Sequence, residues 1–326
     1  MIQRLFSVFE PFILSLLATV TVATVLPARG GFAVFAGYMA EAGIVLLFFL
    51  HGAKLSREAI WTGLRNWPLH LAVLASTFIL FPLLGLGMAR LPGVDPSLAM
   101  GILFLTLLPS TVQSSIAFTA IARGNVAAAI CSASFSNLLG ILVTPALVAL
   151  LMKVEGGAGV SLASVEGILL QLLAPFVAGH LLRPWIGGFV GRHKSLLTVV
   201  DRGSILLVVY TAFGAAVVEG LWTRVSPGDL GRLLLLCLLL LGVILAATYM
   251  IARVMRLSPE DAIVLQFCGS KKSLASGVPM AGVLFPAAQV GVILLPVMLF
   301  HQIQLIACAM LARHYGERSA AESAEV

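Results

Sequence analysis

Ten apolar runs, each long enough to cross a bilayer as a helix, occupy almost the whole of this 326-residue chain. They fall near residues 9–27, 32–52, 67–90, 97–121, 125–152, 161–182, 202–221, 230–255, 260–284 and 287–312. Short polar or Gly/Pro-rich breaks separate them, among them LPARGG, LPGVDP, KVEGGAG and RLSPED, so no soluble domain is inserted. Apolar residues make up 60% of the chain and charged residues 10%, more apolar surface than a water-soluble domain needs. The expected fold is therefore an all-α polytopic membrane protein whose partner is the lipid bilayer.

The net charge of +6 does not point to nucleic acid, because the basic residues are scattered singly through the breaks. Their placement reads as a topology signal. With the N-terminus in the cytoplasm, the inside segments hold Arg4, Lys54, Arg57, Arg65, Arg123, Arg183, Arg192, Lys194, Arg202, Arg253, Arg256, Arg313 and Arg318, 13 in all. The outside segments hold 5, namely Arg29, Arg90, Lys153, Arg224 and Arg232. This split predicts both termini in the cytoplasm of a cell (inner) membrane protein. The run from Pro11 to Pro27 behind Arg4 reads as a retained first helix. Cys131, Cys237, Cys268 and Cys308 sit in apolar runs without metal-ligand spacing, so core thiols are expected, with no disulfide, metal site or cofactor.

Ten spans divide as five and five about the KVEGGAG loop, giving one transporter unit over residues 1–315 and a polar, disordered cytoplasmic tail over 316–326. Repeat one covers about 8–152 and repeat two about 161–313. An odd number of spans per half inverts the second half relative to the first, as in many secondary carriers.

One stretch does not fit a lipid-facing helix. Val264–Phe285 reads VLQFCGSKKSLASGVPMAGVLF and carries Lys271 and Lys272 near its middle. The pair costs about 5–7 kcal/mol at mid-membrane, and the nine Leu, Ile, Val and Phe from Ala262 to Phe285 return only about 3–5 kcal/mol. Gly269, Gly277 and Pro279 weaken the helix around the lysines, and irregular backbone at that depth must face protein or water. An interrupted ninth span with a polar site is expected, the lysine heads lying in a polar cavity.

The fourth span has its own polar interruption, LLPSTVQSSIAF, where Pro109 precedes four hydroxyls and an amide. Placing Ser115-Ile116-Ala117 over Ser273-Leu274-Ala275 sets the two interruptions opposite one another, fourth of five in each half. The candidate substrate- or ion-binding residues are Thr111, Gln113, Ser114 and Ser115 in span 4, and Ser134 and Asn137 in span 5. In span 9 they are Gln266, Ser270, Lys271, Lys272 and Ser273. Hydroxyls in such a place otherwise bond back to their own helix. Glu41, Glu166 and Asp261 are the candidate partners for the lysines, while His180, His301, Gln302 and Gln304 read as core or interface groups. H-E-x-x-H, G-x-S-x-G, Walker and dinucleotide fingerprints are absent, so an enzyme is not expected.

Three stretches, FFLHGAKLSREAIWTGLRNWPLHL (48–71), LLPSTVQSSIAFTAIARGNVAAAICSASFSNLLGILVTP (107–145) and QFCGSKKSLASGVPMAGVLFP (266–286), resemble the bile acid:sodium symporter family. The likeness is to its SBF-like branch, which includes the animal solute carrier family 10 member 7. The resemblance implies ten helices in a panel domain (1, 2, 6 and 7) and a core domain (3–5 and 8–10), with helices 4 and 9 broken and crossing. It also implies an organic-anion substrate, bile-acid-like, sterol-sulfate-like or another carboxylate, usually moved with sodium. Sodium-coupled relatives carry an acid and amides in the helix 9 break and a Ser-Asn pair in helix 4. This chain has Gln266, Lys271 and Lys272 in the first place and Ser114-Ser115 in the second. A sodium site, if retained, falls near Ser114, Ser115 and Gln266, and the coupling ion is sodium or a proton. A Lys ammonium can occupy the place of a monovalent cation, so reduced sodium dependence is expected. The leading reading is a secondary carrier of an organic anion. The alternative is a non-transporting membrane regulator or scaffold on the same fold, linked to ion homeostasis.

Overall fold

The computed structural model describes residues 11–54, 66–152 and 162–324, and every regular element among them is helical. Arg4, Arg57, Arg65 and Lys153 of the topology count lie outside the described residues, as does the side chain of Glu166. The helices are α1 (Pro11–Val25), α2 (Gly30–Lys54), α3 (Trp67–Ala89), α4a (Pro96–Leu107), α4b (Gln113–Ile121) and α5 (Val126–Leu151). They continue as α6 (Leu162–Arg192), α7 (Lys194–Val218), α8 (Pro227–Val254), α9a (Pro259–Gly269), α9b (Leu274–Leu284) and α10 (Ala287–Ala324). A single helical turn, Leu221–Arg224, joins α7 to α8.

Among the described residues six helices are long and apolar enough to cross a membrane by themselves: α2, α3, α5, most of α7, α8, and α10 as far as Glu317. Leu235, Leu239 and Met250 of α8 are exposed, the arrangement of a helix whose outer face meets lipid. The chain is an integral membrane protein. The interrupted helices fall short of a crossing because their halves run to only 12, 9, 11 and 11 residues, where about 20 are needed. The last helix extends past Gly316, where the sequence reading began a disordered tail.

The chain divides into two compact units. One comprises Met1–Leu55, Ala149–Gly228 and Gly277–Leu295, and the other Ser56–Val148, Asp229–Ser276 and Pro296–Val326. In the first, α2 and α6 approach at reciprocal glycines. A Cβ on Gly52 would lie 1.9 Å from Phe176 O, and one on Gly179 would lie 1.9 Å from Phe49 O. Backbone packs directly on backbone, which only small residues permit. Lys54 pairs with Asp201 of α7, and Tyr210 donates to Leu26 O at 2.9 Å. The resemblance implies a grouping of helices 8–10 with 3–5, but α9b from Gly277 onward and the start of α10, as far as Leu295, join this unit. Small residues explain it: Gly282 faces Ile44 and Val208, and Gly291 faces Ala216.

The second unit holds α3, α4a, α4b, most of α5 and α8, α9a and the rest of α10. Its centre is well packed, with Phe81 and Phe300 fully buried and edge-on at 6.1 Å. α3 contains a π-helical turn, Ser76–Leu80, that the apolar pattern does not announce. Pro82 follows it, and a proline clashes with the carbonyl four residues before it, so a widened turn relieves the strain.

Candidate functional site

Both sequence-marked interruptions are present, and they meet. α4a stops at Leu107 because Leu108 turns extended (ψ 155°) ahead of Pro109, the conformation a following proline imposes. α9a stops at Gly269, and the helix resumes at Leu274. The breaks do not keep the register of the short match between Ser115-Ile116-Ala117 and Ser273-Leu274-Ala275. α4b starts two residues before Ser115, whereas α9b starts one after Ser273.

Broken helices leave carbonyls without helical partners, and in a buried region each must find another. Here the replacements can be traced. Thr144 Oγ1 donates to Leu107 O (2.8 Å), Ser273 N to Pro109 O (2.8 Å) and Asn137 Nδ2 to Ser110 O (2.7 Å). At the other break Ser270 Oγ donates to Gln266 O (2.5 Å), Ser115 Oγ to Phe267 O (3.1 Å) and Ser110 Oγ to Cys268 O (2.6 Å). The hydroxyls of Ser110 and Ser115 and the backbone N–H of Ser273 therefore hold the two interruptions together.

The last carbonyls of the α4 break belong to Lys272. Its Nζ donates to Thr106 O (2.8 Å), Leu108 O (2.7 Å) and Thr77 O (2.8 Å). Thr77 O is available because of the π-turn: Phe81 N–H donates to Ser76 O, and the next donor along would be Pro82, which has none. Thr106 O is available because Ser110 N–H turns to Ser136 Oγ at 2.9 Å. Three acceptors at these distances match the three N–H donors of an ammonium head. The Phe81 ring centroid lies 4.2 Å from Nζ.

Lys271 points elsewhere. Its head is fully buried with no hydrogen-bond partner, 3.9 Å from the Phe118 ring centroid and 5.2 Å from that of Phe267. Lys272 thus has polar surroundings of backbone oxygen, while Lys271 has aromatic ones, so neither head lies in the open polar cavity expected from the sequence. Among the described residues neither lysine has a carboxylate within ion-pair distance. Asp261 instead accepts from Asn66 (2.8 Å) and Asn125 (2.9 Å), tying the start of α9a to the segments preceding α3 and α5.

Gln304 of α10 fixes the backbone at the lysines. Its Oε1 accepts from Lys272 N–H and its Nε2 donates to Lys272 O, each at 2.9 Å. The same Nε2 lies 2.9 Å from His301 Nδ1. With the amide orientation set by the Lys272 backbone, the second N–H of the amide points to Nδ1. His301 is therefore an acceptor there and carries its proton on Nε2. From the sequence alone His301 and Gln304 read as core or interface groups. Only the long-range contact shows what they hold.

The other candidates form two polar groups. Ser114 Oγ donates to Thr111 Oγ1 (2.9 Å), which lies 3.0 Å from Ser115 Oγ. Ser276, which the sequence reading left out, donates to Asn137 Oδ1 (2.8 Å), and Ser273 Oγ donates to Ser276 Oγ (3.1 Å). Gln266 is drawn away from both, its Nε2 donating to Leu245 O on α8 at 3.0 Å. Gln113 is exposed and Ser114, Ser134 and Asn137 are half-buried, whereas Thr111, Ser115, Gln266, Ser270 and Ser273 are buried.

Residues 10–317 match the model of the SBF-like CPA transporter family. Uncharacterized protein PA2026 of Pseudomonas aeruginosa is 56% identical over 95% of this chain and 93% of its own length. The putative symporter YfeH of Escherichia coli is 52% identical, over 96% and 95%. Sodium/bile acid cotransporter 7 of Rattus norvegicus is 27% identical over 82% of this chain and 80% of its own length. The relatives named for an activity are transporters, not enzymes.

Proposed function

The chain belongs to the SBF-like CPA transporter family, and from that premise we propose that it is a secondary carrier moving an organic anion across the inner membrane by alternating access. The observation that carries this reading is the meeting of two interrupted helices, α4 and α9, deep within their spans. Their polar backbone is satisfied by Ser110, Ser115, Asn137, Ser273 and Lys272. Irregular backbone at membrane depth occurs where helices are built around a site. In this reading the ten spans form two inverted five-span repeats with both termini cytoplasmic.

The candidate residues then take different roles. Lys272, Ser115 and Ser270 are buried and hold the breaks in shape, while the buried Lys271 head packs against Phe118 and Phe267 and Gln266 ties α9a to α8. Gln113, Ser114, Ser134 and Asn137 retain exposed surface and meet the substrate, with Thr111 and Ser273 behind them. A bile-acid type of anion fits the name of the sodium/bile acid cotransporter 7 relatives.

The test is uptake into liposomes holding the purified protein, using radiolabelled taurocholate, a sterol sulfate and smaller carboxylates, with and without a sodium gradient. Accumulation of at least one anion above protein-free liposomes is expected. No uptake of any anion by folded protein, in either orientation of the gradient, would remove the carrier reading.

A further inference from the structure

We infer that Thr77, Thr106 and Leu108 form a monovalent-cation site that the protein keeps filled with its own Lys272 ammonium. The three carbonyls converge on one point, with Nζ 2.7–2.8 Å from each oxygen. None is there by accident of a flexible side chain. Each is main-chain oxygen released by a discontinuity, the π-turn of α3 in one case and the end of α4a in the other two. Converging backbone carbonyls are what proteins use to replace the hydration shell of an alkali-metal ion. An α-helix ending at the same point adds the negative pole of its dipole.

The occupant is unusual in having no counter-anion. Among the described residues no acidic side chain is within ion-pair distance of Lys272, which is 1% exposed. Its charge is balanced by carbonyl dipoles and by the face of Phe81. That is the electrostatic environment of a bound sodium or potassium ion rather than of a buried salt bridge. Gln304 holds the Lys272 backbone on both sides, so the ammonium is delivered from a fixed anchor. Two monovalent cations cannot share the three oxygens, because they would repel at contact distance in a medium of low dielectric. The protein therefore needs no added cation here, and taking away the lysine head creates a vacancy for one. Only the consequence for coupling rests on the carrier reading; the site itself does not.

The experiment is thermal unfolding of the full-length protein in detergent. Wild type, Lys272→Ala and Lys272→Gln are compared in sodium, potassium, methylammonium and choline chloride at equal ionic strength. Wild type is expected to melt at the same temperature in all four salts. Lys272→Ala is expected to melt lower in choline and to recover saturably with sodium, potassium or methylammonium, the probes small enough to enter. Lys272→Gln, which keeps a donor in the site, tests the same recovery should the alanine variant fail to fold. A saturable rise of the wild-type melting temperature with sodium over choline would overturn the inference. So would a folded variant that melts identically in all four salts. Because the readout is unfolding, absence of anion uptake would count against the carrier reading alone.

Discussion

Gln304 brackets Lys272: one side-chain amide accepts from its N–H and donates to its carbonyl, both at 2.9 Å, across 32 residues of sequence. The arrangement imitates one rung of a β-ladder in a place where no strand exists. Gln304→Leu removes both partners and leaves two buried backbone groups unpaired, at about 1–3 kcal/mol each. The expected result is a melting temperature lowered by several degrees. Gln304→Glu should also destabilise, because a carboxylate sets an acceptor against the Lys272 carbonyl. A Glu variant as stable as wild type would show that the bracket is not made.

The two lysines should part company when changed to methionine. Lys272→Met strips three carbonyls of their donor, and with about 1–3 kcal/mol for each unsatisfied buried group the loss is severe. Lys271→Met removes a head that has no hydrogen bond and replaces it with a polarizable chain suited to the faces of Phe118 and Phe267. Exchanging a buried charge for a well-packed apolar group is often neutral or stabilising, by about 1–4 kcal/mol. Thermal unfolding of both variants should therefore move in opposite directions, or fall only for Lys272→Met. Equal losses would refute the distinction.

This difference marks how far the sequence could be read. Pro109 announces where α4a stops, and the lysine pair between Gly269 and Leu274 announces the α9 break, because both depend on local chain chemistry. What each lysine head meets depends largely on residues far along the chain, Phe118 for Lys271 and Thr77, Thr106 and Leu108 for Lys272. Thr77 is an ordinary threonine in an apolar run until Pro82 and the π-turn free its carbonyl. Gln304 looks like any core amide until the backbone of Lys272 is placed beside it. Ser110 and Ser115 are legible as polar groups, but not as groups already committed to carbonyls of the partner break.

Helix contact in the other unit gives a prediction with an internal control. Gly52→Ala and Gly179→Ala each place a Cβ 1.9 Å from a backbone oxygen that cannot swing aside, whereas a Cβ on Gly188 of the same α6 meets nothing within 4 Å. The first two should force α2 and α6 apart and lower expression and melting temperature. Overpacking of this kind costs about 1–3 kcal/mol or more. Gly188→Ala should be neutral or slightly stabilising through helix propensity, by up to about 1 kcal/mol. Fluorescence-detected size-exclusion after heating compares the three directly, and loss in Gly188→Ala equal to that in the others would sink the packing argument.

Cysteine accessibility tests the division between residues that meet substrate and residues that hold the breaks. Single cysteines at Gln113, Ser114 and Ser273 are to be compared in a background whose four native cysteines, all buried, are replaced by serine or alanine. Gln113 is exposed and Ser114 half-buried, while Ser273 is 4% exposed and bonded through its N–H to Pro109 O. A small charged thiol reagent should modify position 113 readily and position 114 more slowly. Position 273 should stay protected unless the carrier changes state. Adding a transported anion should slow the reaction at 113 and 114 by occupying the same space. If 113 is inert in membranes while 273 reacts, the buried and exposed layers of the site are assigned the wrong way round. A substrate that protects none of the three would move the binding site away from the start of α4b altogether.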